Sequence, residues 1–523
     1  MNNQISLLGA QVAKTMPIII MVLYIAGLVA IAIITHQKSR SLSGFFLANR
    51  GIGGWMTAFS YGAAYFSAVV FIGYAGRFGM QLGLSTVWIG IANALIGSLL
   101  AWIVLAKRTR SMTNRLKTRT MPEFFEKRYQ NKHIKLLASI VIFIFLIPYS
   151  SSVYQGLGYL FEMIFGLEFY WCIIIVAALT AMYLFAGGYF ATVLGDFFQG
   201  IIMLSGVIVM IILMFNSDVV QGAEGLRKLT EAGYGFIPSA EGNFFNSNAF
   251  NLIVIILLTS FGIWSLPQSV HKFHAIRDNN AIKKATIIST VFALVIGGGA
   301  YLNGGFARLF FPQGLPAGGD DAVVPEMLIR AGFPGVMLGL IMVLLLSASM
   351  STLSALALSS SSAVAIDAYK GYINPNAKEK KVKLILQILC LLFITLSAVL
   401  AIFRVDVIVT LMSFSWGTLA GCFMGPYVLG LYSKKITAAG AIASIISGVS
   451  VTIILVAVFG MVDGGKNVGE IINLGIKRAP LIGVIDMIFS IIITLVVSAF
   501  TKKPDKEHLD FCFAKENIIE KAR

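Results

Sequence analysis

The chain has 523 residues, of which 57% are hydrophobic and 12% charged, with a mean hydropathy of +0.84. Such a composition excludes an ordinary soluble domain and encodes an all-α integral membrane protein. The formal charge of +16 would point to nucleic acid in a soluble chain, but here the basic residues cluster between apolar segments, so lipid is the expected surroundings and nucleic acid is not a partner.

In chain order the apolar segments are residues 16–34, 55–74, 82–106, 136–161, 169–185, 191–215, 250–270, 285–306, 335–365, 383–403, 407–431, 437–459 and 481–500. That makes about thirteen spans, each near or above the ~20 residues that a bilayer requires. The first is of full span length without a small-residue cleavage pattern, so it is kept as a helix. Cys172, Cys390, Cys422 and Cys512 have no CxxC spacing, which argues against a disulfide framework or a cysteine metal site.

An odd number of spans puts the termini on opposite sides. Lys38, Arg40 and Arg50 follow the first span, a dense basic run from Lys107 to Lys132 follows the third, and Lys272, Arg277, Lys283 and Lys284 follow the seventh. Lys378, Lys380 and Lys381, then Lys434 and Lys435, then Lys502 and Lys503 fall on the same side. By the positive-inside rule that side is cytoplasmic, leaving the N-terminus outside and the C-terminus inside at a cell membrane.

The second span has an unusual centre, Phe59-Ser-Tyr-Gly-Ala-Ala-Tyr-Phe-Ser67, where Gly62 and its small neighbours make unwinding sterically cheap. Backbone carbonyls freed in mid-membrane need a partner, and a cation would serve. The seventh span carries Ser260-Phe-Gly-Ile-Trp-Ser-Leu-Pro267, in which Pro267 removes an amide donor. Interrupted helices at matching places of two halves mark a transporter site at the repeat interface. The ninth span carries a run of hydroxyls from Ser347 to Ser362; Ser347, Ser351 and Ser354 share a helical face, with Thr352 beside Ser351. Neutral oxygens of this kind suit a hard monovalent cation such as Na+, and they also suit close helix packing.

Phe45-Phe-Leu-Ala-Asn-Arg-Gly-Ile-Gly-Gly-Trp55, Thr120-Met-Pro-Glu-Phe-Phe-Glu-Lys-Arg128, Gly187-Gly188 with Asp196 and Gln199, Ser351-Thr352, Ser415-Trp416, Gly425-Pro426 and Leu429-Gly-Leu-Tyr432 follow one another as in the sodium:solute symporter family, which this chain resembles from about residue 40 to 445. The gapless match through the second span resembles its sodium/proline branch most. The resemblance implies the LeuT-type fold: two inverted five-helix repeats, 55–215 and 250–431, with one extra helix before them (16–34), two after (437–500) and a cytoplasmic tail, 501–523, all in one domain. It also implies a sodium site made of the carbonyls of Ala63, Phe66 and Ala348 and the hydroxyls of Ser351 and Thr352. Asp196 matches an acid on the sodium release path or in a second sodium site, to which Ser354 would contribute, although Ala355 stands where another hydroxyl is usual.

For the solute, the resemblance points to Tyr65, Val70, Tyr149, Ser150, Tyr154, Trp264 and Trp416. Val70 stands where sugar carriers have a glutamine, which disfavours a sugar, and Tyr65 replaces the aspartate of the proline branch. A small amino acid, proline-like, is weakly favoured, with a monocarboxylate as the alternative solute. The expected activity is sodium-coupled symport by alternating access, carried out by a monomer with no covalent chemistry. A proton-coupled carrier would need Asp196, because all five histidines are expected in loops or the tail; a membrane enzyme would need a base beside the serines, and none is apparent. Asp367 is expected as a solvated cap, and Asp486 as a structural group.

Overall fold

The computed structural model describes residues 2–35, 50–238 and 244–514. The start of the Phe45–Trp55 motif, His36, Lys38, Arg40 and the end of the tail lie outside them. Helices form throughout, and by length and composition eleven of them could cross a membrane. Their outer faces carry large apolar side chains such as Ile103, Ile144, Leu384, Ile453 and Ile492, an exposure that water would penalise and hydrocarbon favours.

Eleven differs from the thirteen expected, for two identifiable reasons. The second span is divided into α2 (Gly54–Tyr65) and a wide π turn, Val69–Tyr74, which leads into α3 (Ala75–Leu82). At Gly83 the backbone takes φ +60°, a conformation that only glycine adopts without strain, and the chain re-enters as α4 (Val87–Ala92) and two π turns. The other reason is that the fifth expected span, Phe169–Phe185, is a shorter apolar helix than the rest, so that of α8 (Phe169–Phe215) only Tyr189–Phe215 counts as a full span. α8 is not a straight rod: a Cβ on Gly195 would lie 1.7 Å from the Tyr183 hydroxyl, whereas twelve residues of straight helix span about 18 Å. The chain therefore reverses between these two residues.

Before α2 comes α1, Asn2–Thr35. The remaining long elements are α7 (Lys132–Phe165), α9 (Asn248–Gly262), α10 (Pro267–Ala275), α11 (Asn279–Gly305), α12 (Gly335–Ser362), α13 (Glu379–Ile402), α14 (Ile408–Met424), α15 (Ala438–Val462) and α16 (Ala479–Phe500). Short helices α5 (Lys107–Leu116) and α6 (Met121–Tyr129) precede α7. α2 lies at the centre, packed on α8, α11 and α12, while α14 is enclosed by α7, α15 and α16.

One buried cation ties the periphery to the core. Arg128, at the end of α6, donates from Nε to the Gly430 carbonyl (3.0 Å) and from Nη2 to that of Ser433 (2.8 Å), closing the C-terminal end of the segment that begins as α14. Arg128→Met leaves both carbonyls without that donor and is expected to cost about 3 kcal/mol of stability, measurable as a lowered unfolding midpoint in detergent.

Candidate functional site

α2 stops because Phe66 is extended (φ −105°, ψ 104°), although its amide still bonds to Gly62 O at 3.1 Å. Gly62 itself does not make the break. Its lack of a side chain serves contact with Phe292, whose ring would lie 2.4 Å from a Cβ there. With the ladder ended at Tyr65, the carbonyls of Ala63 and Ala64 fall in the last turn, where no amide follows to satisfy them.

α12 crosses at this point. Ser351 Oγ is 2.9 Å from Ala63 O and 3.1 Å from Ala348 O. Thr352 Oγ1 is 3.0 Å from Ala348 O, 3.4 Å from Ala63 O and 3.5 Å from Ala64 O. Two hydroxyl protons thus serve three carbonyls, and all these residues are buried. The cluster has more lone pairs than hydrogens to fill them, an arrangement that suits a cation and also suits close helix packing. Of the five residues expected to form such a site, Ala63, Ala348, Ser351 and Thr352 are brought together, and Phe66 supplies the break beside them.

The other hydroxyls of α12 do not join this cluster. Ser347 faces the Tyr24 hydroxyl of α1, and Ser354 bonds back to Ser351 O at 3.0 Å. Nor does Ser354 meet Asp196, which is engaged elsewhere. Asp196 Oδ2 is 3.3 Å from the Lys272 ammonium and accepts a bond from the Ser60 hydroxyl. Lys272 donates to Ser60 Oγ at 2.6 Å. Lys272 was expected in a basic loop, yet it is buried in α10, and so are His271 and His274. The apolar run ends at Val270, but the helix continues and every residue of Pro267–Ala275 is buried. Asp367 also departs from expectation: it is fully buried and accepts a 2.7 Å bond from Thr120 Oγ1 instead of meeting solvent. Asp486 is buried too and accepts from Thr452 Oγ1 at 2.8 Å, a structural contact between α15 and α16.

Beside the oxygen cluster lie aromatic rings. Tyr65 stacks on Trp416 (centroids 6.1 Å, 27°), and Tyr149 meets Trp416 edge-on (5.7 Å, 87°). The Tyr65 hydroxyl donates to Thr259 O at 2.8 Å, so the end of α2 is tied to α9. Trp264 occupies the break between α9 and α10, where Leu266 is extended and Pro267 begins the new helix, and its Nε1 donates to Ile96 O at 3.1 Å. Val70 and Ser150 are buried in adjoining segments, and no ring contact joins them to this group. Tyr154 faces Thr180 instead. Asn93 was not anticipated: its Oδ1 accepts from Thr259 Oγ1 (2.8 Å) and Ser260 Oγ (2.9 Å) just ahead of the α9 break. A lone amide inside an apolar run was its only signal.

On the face opposite the basic loops, Asp321 Oδ2 accepts from the Ile408 amide (3.1 Å) at the first turn of α14. Burial, reinforced by Asp320 and Asp406 and opposed by the Ile408 bond and Arg77, pushes its carboxyl up to about 7. A carboxyl raised in the folded state contributes stability that is present in acid and lost as pH rises through the folded value. The unfolding midpoint is therefore expected to fall between about pH 4 and 7, from the ordinary carboxyl value to the folded one, and Asp321→Asn to remove that part of the dependence in a thermal melt.

With the geometry in hand, comparison with known proteins adds the following. Residues 45–448 match the model of the sodium:solute symporter family. A sodium/proline symporter of Staphylococcus aureus is 28% identical over 499 residues, covering 93% of each chain. The osmoregulated proline transporter OpuE of Bacillus subtilis is 26% identical over 504 residues, covering 96% of this chain and 98% of its own. Among solved structures, a Na+-coupled sialic acid symporter in a substrate-bound outward-open state superposes with a TM-score of 0.73 at 17% identity, over 94% of this chain and 99% of the other, and so shares the fold. The family match spans most of the chain, the fold agrees, and the chain belongs to the sodium:solute symporter family.

Proposed function

We propose that the chain imports a small amino acid, proline-like, together with Na+ held by the carbonyls of Ala63, Phe66 and Ala348 and the hydroxyls of Ser351 and Thr352. The observation that carries this reading is the surplus of oxygen acceptors where α2 ends against α12. Tyr65, Tyr149, Trp264 and Trp416 wall the solute, and its proline-like nature is suggested by the named relatives. Na+ entering from outside joins α2 to α12 and fixes the ring-lined side of the break. The ion and solute are then carried inward by rocking of the two halves, 55–215 and 250–431.

One Na+ moving through ~100 mV releases ~2.3 kcal/mol, and a tenfold ion gradient adds ~1.4 kcal/mol. Their sum supports roughly 500-fold accumulation of a neutral solute. No bond is made or broken, and a monomer in lipid suffices. The basic loops lie in the cytoplasm and the N-terminus outside, by the positive-inside rule. Uptake of labelled proline and other small amino acids into proteoliposomes tests the reading: an inward Na+ gradient should drive accumulation and its collapse should abolish it. Uptake of no such solute, or uptake indifferent to Na+, would reject it.

A further inference from the structure

The ion pair of Asp196 and Lys272 has no part in the site just described, yet it is placed beside it. We propose that the Lys272 ammonium is a resident counter-cation that neutralises Asp196 through Oδ2, so that the chain binds one Na+ per transport cycle and not two. This inference rests on the sodium-coupled reading above and extends it to stoichiometry.

Side chains of both residues are almost wholly buried, at 2% and 0% exposure. A carboxylate so placed requires a positive partner. That partner can be an ion that comes and goes or one tethered to the chain, and here the tethered one is in position. Among the described residues Lys272 is the cation that interacts with Asp196; the other groups facing the carboxylate are the hydroxyls of Ser60, Tyr24, Tyr183 and Tyr189, and Oδ1 is buried without a hydrogen bond. The amine is held in turn by Ser60 Oγ and lies 5.4 Å over the Tyr189 ring. One negative and one positive charge cancel. A second Na+ approaching Asp196 would meet a neutral pair and be repelled by the ammonium at close range.

The location makes the pair relevant to coupling. Ser60, Asp196 and Lys272 belong to α2, α8 and α10, three separate elements. Ser60 lies three residues before Ala63, about 4.5 Å along the helix, so the amine and the proposed Na+ lean on consecutive turns of the same short helix. Lys272 is accordingly a positioning residue: it fixes α2 electrostatically without occupying the oxygen cluster.

The test counts bound ions. Purified protein is titrated with NaCl alone by isothermal calorimetry, and the Na+ dependence of uptake is measured in parallel. The unmodified protein should bind one Na+ and give a Hill coefficient near one. Lys272→Met frees the carboxylate and should raise the count to two with a steeper Na+ dependence, and Lys272→Met/Asp196→Asn should return it to one. Two ions in the unmodified protein would overturn the proposal, as would a count of one in a Lys272→Met protein that elutes normally on size exclusion. Should Lys272→Met fail to fold while the double variant folds and binds one ion, the tethered pairing is supported. Absence of any Na+ binding by the unmodified protein would instead defeat the sodium-coupled reading itself.

Discussion

Ser351→Ala combined with Thr352→Ala is expected to abolish sodium-driven uptake in proteoliposomes while leaving a folded protein. Each hydroxyl contacts a carbonyl of α2 and one of its own helix. A polar contact to a charge contributes about 1.5–3 kcal/mol, so losing one weakens Na+ binding roughly 10- to 100-fold, and losing both removes it from the physiological range. The fold survives because α12 is buried along most of its length by apolar side chains such as Leu344, Leu353 and Leu356, and alanine favours the helix. Na+ titration of uptake is the measurement. An unchanged half-saturating Na+ concentration in the double variant would refute the assignment of these oxygens.

Trp416→Ala is expected to act on the solute and spare the ion. The indole is sandwiched between Tyr65 and Tyr149 and is 1% exposed, whereas no oxygen of the cation cluster belongs to it. Central buried aromatic anchors typically cost at least ~2 kcal/mol when truncated, which corresponds to a rise in solute KM of about 30-fold or more. The Na+ concentration for half-maximal uptake at saturating solute should change little. Equal losses in both constants would mean that the rings brace the ion half of the site and do not wall the solute.

Much of this arrangement was legible because it rests on local rules. Pro267 cannot donate an amide, so a helix running through it has to restart there, and it does. The Ser351–Thr352 pair was legible because helical spacing and hydroxyl chemistry are both written in the sequence. What escaped detection depended on tertiary placement. Gly62 looked like the break because glycine loosens a helix, but the chain departs at Phe66 and uses Gly62 for contact with Phe292. Lys272 follows an apolar run, where a lysine ordinarily marks the membrane surface; the facing Asp196, 76 residues away in sequence, together with Ser60 and the Tyr189 ring, keeps it inside. Asp367 was misplaced for the same reason, since Thr120 on a distant segment covers it. The reversal within α8 falls where the apolar runs 169–185 and 191–215 part, so hydropathy located it even though the helix runs through it.

The extended residues Phe66 and Leu266 have a mechanical consequence. A continuous rod transmits a tilt from one membrane surface to the other, so loosening one vestibule would drag the opposite one open and dissipate the gradient. In the alternating access proposed above, segments jointed at these two residues would act as independent shutters, either swinging while its counterpart stays sealed.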